Sequence, residues 1–89
     1  MKGIITVLGR DKVGIIAKIC TYLAQTNMNI LDISQTIVQG YLNMMMVVDI
    51  SCPNKSFEAI VDDLDNLGKE IGVEIRIQHE EIFNSMHRI

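Results

Sequence analysis

The sequence predicts an α+β domain in which two strand-helix-strand units share one four-stranded antiparallel sheet, with both helices on one face. Three observations predict it. Short β-branched runs alternate with two stretches of helical apolar spacing; the elements follow in the order β, α, β, β, α, β; and a tight turn signal, Gln39-Gly40, joins the two middle strands. Right-handed crossovers leave the ferredoxin-like plan as the natural arrangement of that order.

The first strand is GIITVL (3–8), β-branched and apolar, with Gly9 as its stop. In the stretch GRDKVGIIAKI (9–19), Asp11 stands where an N-cap belongs and Gly14 falls in the first helical turn. A glycine inside a helix costs roughly 1 kcal/mol against alanine, so Gly14 predicts close approach of a ligand or a neighbouring strand to the backbone. Ile15, Ile19 and Leu23 then recur every four residues, with Ile16 and Cys20 beside them, giving about three helical turns that pack one face on a sheet.

Asn27-Met28-Asn29 breaks this helix. ILDISQTIV (30–38) reads as the second strand, its alternation imperfect around Asp32, and YLNMMMVVDI (41–50) as the third. Leu42, Met44, Met46, Val48 and Ile50 share one face of that strand, while Met45 and Val47 put apolar weight on the other and predict contact with a second copy. After the loop 51–55, Phe57, Ile60, Val61, Leu64, Leu67 and Ile71 define the second helix. Ser56 is its N-cap, Gly72 its stop, and Glu58, Asp62, Asp63 and Asp65 form its solvated face. Val73, Ile75 and Ile77 alternate as the fourth strand, and Ile82, Met86 and Ile89 have the spacing of a short terminal helix over 82–89.

At 89 residues the chain reads as one domain, 1–89. A domain this small buries only about 60–65% of the surface its unfolded chain exposes. A composition 48% apolar is therefore rich, and predicts a homo-oligomer, dimer or tetramer. No apolar stretch approaches the roughly 18 residues of a membrane span, and no signal-peptide pattern opens the chain, so the expected compartment is the cytoplasm. Cys20 and Cys52 form no CxxC pair and are expected as thiols. A net charge of −3, with no basic block and two Tyr and two Phe as the aromatic complement, excludes a nucleic-acid binder.

Catalytic readings fare poorly. The first loop lacks the cysteines of a metal chaperone, and Met44-Met45-Met46, pointing alternately to opposite faces, cannot converge on one ion. His79 and His87 have no evident partner for base catalysis, and no phosphate-binding or dinucleotide glycine pattern is present. An acylphosphatase-like enzyme is the catalytic alternative, with Arg10 and Lys12 in an anion-binding first loop, but Asp11 puts negative charge into that cradle. No enzyme activity, cofactor or metal is expected.

The segment DKVGIIAKICTYLAQTNMNILDISQT (11–36) resembles the signature of ACT domains, small regulatory modules of this same element order that commonly bind amino acids. Asp11, Gly14, Ile15, Ile16, Ala17, Asn29, Ile30 and Asp32 stand at the matching places, and Val13 replaces the frequent proline before the glycine. The likeness spans essentially the whole chain. It is nearest to small stand-alone bacterial and archaeal ACT proteins, then to the ACT modules of glycine-cleavage regulators and formyltetrahydrofolate deformylases.

The resemblance implies a small-molecule effector held between two copies by Arg10, Asp11, Lys12, Val13, Gly14 and Ile15 of the first loop and by Asn29, Ile30 and Asp32 at the start of the second strand. Asp32 would face an α-ammonium group. It also implies a protein partner that reads the signal. The bland reading of the same residues is a ligand-free oligomerisation module, in which Asp11 only caps, Asn29 only turns the chain and Gly14 only allows tight packing.

Overall fold

The computed structural model describes residues 1–51 and 53–81; Cys52, His87 and the terminal helix expected over 82–89 lie outside them. Its elements are β1 (Lys2–Arg10), α1 (Ile15–Gln25), β2 (Asn29–Val38), β3 (Tyr41–Asp49), α2 (Phe57–Ile71) and β4 (Val73–His79). They form one antiparallel sheet in the order β2-β3-β1-β4, the predicted ferredoxin-like α+β arrangement.

The register shows why the sheet has one apolar face. Ile5 pairs with Met46 and Ile77, and Val7 with Met44 and Ile75, so these residues point together under the helices. From above, Ile15, Ile19 and Leu23 of α1 and Ile60 and Leu64 of α2 close the same core, all of them buried. The alternation read in the third strand holds: Leu42, Met44, Met46 and Val48 are buried, and Ile50 stays buried one residue past the strand. No helix of the described residues is long and apolar enough to cross a membrane.

Local chemistry accounts for the element ends. The Ser56 hydroxyl accepts from the Ala59 N–H at 3.2 Å and caps α2, which ends at Gly72 with φ +79°. The Gln39-Gly40 turn has positive φ at both residues, +51° and +83°, the geometry that matches strand twist in a two-residue hairpin. The imperfect alternation near Asp32 is a bulge: the β2–β3 register shifts between Ile30 and Asp32.

Three expectations at the first loop are corrected. Gly9 does not end β1; it lies inside the strand opposite Val73, where an added Cβ would sit 2.8 Å from the valine Cγ1. Asp11 does not cap α1; the helix starts at Ile15, and its N-cap is Gly14, with no side-chain cap bond. Gly14 is thus outside the helix, with φ +91° and nothing within 4 Å of a built Cβ. A left-handed backbone, not close packing, requires glycine there.

Candidate functional site

The loop from Asp11 to Gly14 is fastened by one backbone bond and has neighbours on two further sides. Its Asp11 N–H donates to the Gly40 carbonyl at 2.8 Å, fastening it to the β2–β3 hairpin tip. The Arg10 guanidinium lies 5.2 Å from the centre of the Tyr41 ring, a cation–π contact between cross-strand neighbours. Lys12 reaches the other way, its Nζ 2.8 Å from where a Gly72 Cβ would stand, beside the carbonyl end of α2.

Between this loop and the last turn of α2 is a cavity of about 260 Å³, lined by Lys12, Val13, Gly14, Ile15, Lys18, Glu70 and Ile71. Its chemistry follows from the helix start. The first N–H groups of α1 have no intrahelical acceptor, no side chain caps them, and Gly14 adds no Cβ in front of them. Two lysines and a helix N-terminus favour an anion, and one carboxylate, Glu70, stands at the opposite wall. A zwitterion suits that pattern. Antiparallel pairing of β1 with β4 sets Gly9 opposite Val73 and so carries the end of α2 to this loop; that topology was the signal from which Lys18, Glu70 and Ile71 could have been found.

Of the predicted site, Lys12, Val13, Gly14 and Ile15 line this cavity, Arg10 and Asp11 are not among its lining, and Asn29, Ile30 and Asp32 lie apart from it. Arg10 pairs through Tyr41 with Val38, whereas Asn29 pairs with Asp49 and through it with Lys2. Eight residues of β1 therefore separate the loop from the level of Asn29, about 27 Å at a strand's rise. Asp32, level with Val47 and Ile4, is about 20 Å from the Arg10 level by the same reckoning. Within one chain Asn29, Ile30 and Asp32 lie at the far end of the sheet from Gly14. Asp32 uses one carboxylate oxygen locally, accepting from the Ile33 N–H at 2.8 Å.

A second polar cluster joins the helices. The Tyr22 hydroxyl donates to Asp63 at 2.7 Å, and Lys55 meets the same carboxylate at 2.7 Å. Burial first, then the bond to Asp63, pushes the Tyr22 hydroxyl up to about 12. The bonds from Lys55 and Tyr22 hold Asp63 below the ordinary carboxylate value. Asp63 is thus a fixed acceptor and not merely part of a solvated face. His79 stacks on Phe57, ring centres 4.2 Å apart, which gives it a packing role. Among the described residues no three His, Cys, Asp or Glu side chains gather as a metal site.

Comparison with known proteins agrees with the fold. The ACT domain family model matches residues 3–78. A UPF0237 protein of Bifidobacterium longum is 62% identical over 88 residues, covering 99% of this chain and 98% of its own. An ACT domain protein from Streptococcus pneumoniae superposes with a TM-score of 0.82 at 40% identity, covering 93% of each chain. A formyltetrahydrofolate deformylase from Pseudomonas syringae shares the fold, with a TM-score of 0.79 at 21% identity over 88% of this chain and 27% of its own. The chain belongs to the ACT domain family.

Proposed function

We propose that this protein is a non-enzymatic, cytoplasmic regulatory module that binds a small amino acid or related metabolite between two copies of itself and passes the change to a protein partner. The observation that carries this reading is the uncapped start of α1 behind Gly14, open to a carboxylate and flanked by Lys12, Lys18 and Glu70. A cavity of about 260 Å³ is below the range of roughly 300–1,000 Å³ found for drug-sized ligands, which favours a small effector. The distance between the two halves of the site supports a second copy: Asp32 and Asn29 can reach a loop only if that loop belongs to another chain. The catalytic alternative is weakened by Arg10, whose charge lies over Tyr41.

The test is a thermal-shift screen against the twenty amino acids and common one-carbon metabolites, on wild type and on Gly14→Asp. A ligand that binds only the folded form adds about 2.7 kcal/mol at a hundredfold excess over Kd. Aspartate tolerates positive φ, so the variant folds while placing a fixed carboxylate where the ligand's would go. A selective rise in wild type that Gly14→Asp abolishes is the expected result. A flat panel on folded, oligomeric protein moves the reading to a ligand-free interaction module.

A further inference from the structure

We propose that the protein partner docks on the outer edge of β4, beside the groove that α2 forms along it. An extended segment of that partner adds to the sheet as a further strand, carrying an aliphatic residue and, two residues along, a lysine or arginine. This rests on the proposed function only for the existence of a partner. β4 ends the sheet order β2-β3-β1-β4, so among the described residues no strand pairs with its far side.

The register decides which backbone groups face outward. A Cβ built on Gly9 would lie 3.1 Å from the Val73 Cα, the close approach of a pair that exchanges no hydrogen bonds. A Cβ built on Gly3 would lie 3.4 Å from the Gln78 carbonyl oxygen, which therefore points at β1. Both observations place Glu74, Arg76 and Gln78 in the bonded pairs and turn the N–H and C=O groups of Val73, Ile75, Ile77 and His79 outward. α2 covers the first of these at Gly68, whose built Cβ would be 2.6 Å from the Val73 oxygen and 3.4 Å from the Ile75 nitrogen. The Ile75 C=O, both groups of Ile77 and the His79 N–H remain, and none of the described turn, loop or cap bonds uses them.

α2 follows this edge from Phe57, stacked on His79, to Gly68, over Val73. Between helix and strand is a cavity of about 260 Å³ lined by Val61, Asp62 and Asp65 of α2 and by residues 75–78 of β4. Its floor is apolar, with Ile75 and Ile77 buried and Val61 exposed beside them. Its helix rim is acidic. Asp65 holds Lys69 at 3.1 Å, whereas Asp62 is in no ion pair among the described residues. Alternate side chains of an added strand face this rim. One aliphatic side chain then covers Val61, and a basic one two residues on meets Asp62; backbone bonds supply affinity and these two contacts supply selection.

The strands of a second copy do not complement this edge. β4 against another β4 sets Arg76 opposite Arg76 when centred there, and Glu74 opposite Glu80 when centred on Ile77. Centred on Ile75, the pairing falls on backbone that α2 covers. The β2 strand carries Asp32 as its single charge, which the acidic rim repels.

A display library of random eight-residue peptides, selected on the full chain without metabolite, tests the edge. Enriched peptides are then titrated by fluorescence anisotropy against wild type, Val61→Asp and Asp62→Lys, with circular dichroism checking that both variants keep the fold. The expected peptides carry the aliphatic-x-basic pattern and lose about tenfold or more in affinity on each variant. Methylating the backbone nitrogens of their groove-facing residues abolishes binding, because those N–H groups point at β4; methylating the intervening ones changes it by less than about twofold. No enriched peptide that depends on Val61 and Asp62, or equal loss from both methylation patterns, overturns the added strand. A wild-type dimer that both variants dissociate in sedimentation equilibrium gives the edge to a second copy and overturns the foreign partner. Displacement of the selected peptides by an equal concentration of a synthetic peptide of residues 82–89, which holds Met86 and Arg88, gives it to this chain's own terminus and does the same. Val61 and Asp62 do not line the first-loop cavity, so both variants keep whatever metabolite shift wild type shows. The thermal screen thus reports on the ligand and the peptides on the edge, and failure of one is read apart from failure of the other.

Discussion

Three glycines show how one residue type answers to three physical demands. Gly9 has Val73 against it, Gly68 has the Val73 carbonyl oxygen 2.6 Å from a built Cβ, and Gly14 has open space and φ +91°. The first two are contact glycines, the third a dihedral glycine. Gly68→Ala drives a methyl into backbone that cannot swing aside, and the loss should be about 1–3 kcal/mol or more. Gly14→Asn keeps the left-handed conformation and should lose under about 1 kcal/mol. Urea unfolding of both variants checks the order; equal losses would contradict it. The same contrast explains a partial reading of the sequence. Glycine within GRDKVGIIAKI signals an unusual backbone, but nothing in the one-dimensional pattern separates close approach from positive φ, so Asp11 looks like the cap that Gly14 is.

Among the elements, those with local signals were legible. Ser56 and Gly72 frame α2 because capping is decided by residues within one turn, and Gln39-Gly40 carries the hairpin because both positions need positive φ. The tie between α1 and α2 was not legible. It joins Tyr22 to Asp63 across 41 residues, and only the packing of two helices side by side brings them together. Its pH dependence follows from the direction of the shift. Asp63 titrates below the ordinary value of 3.8 in the folded chain, so its contribution is complete above that value and disappears as the pH falls through the lowered one. Thermal unfolding of wild type and Asp63→Asn should therefore differ most near neutrality and converge in acid. A difference that stays constant down to the acid end would assign the effect to something other than the carboxylate charge.

At the scale of the whole molecule, the sheet separates what the family signature joins. Gly14 and Asp32 are 18 residues apart in the chain, near enough to read as one motif, yet an antiparallel sheet carries them to opposite ends. A single sequence shows these residues without showing how far apart the sheet sets them. The proposed geometry makes a strong demand on mixed dimers. Each of two symmetric sites takes its loop from one copy and Asp32 from the other. Homodimers of Gly14→Asp damage both sites, and so do homodimers of Asp32→Ala. A dimer of one with the other gathers both lesions in one site and leaves the second site intact. Mixing the two inactive variants in equal amounts should thus restore about a quarter of the wild-type binding capacity, at wild-type affinity. Calorimetric titration of the mixture with whichever metabolite stabilises the wild type measures it. If binding stays absent while mixed dimers are shown to form, the loop and Asp32 do not share a site between chains, and each must be assigned its role within one copy.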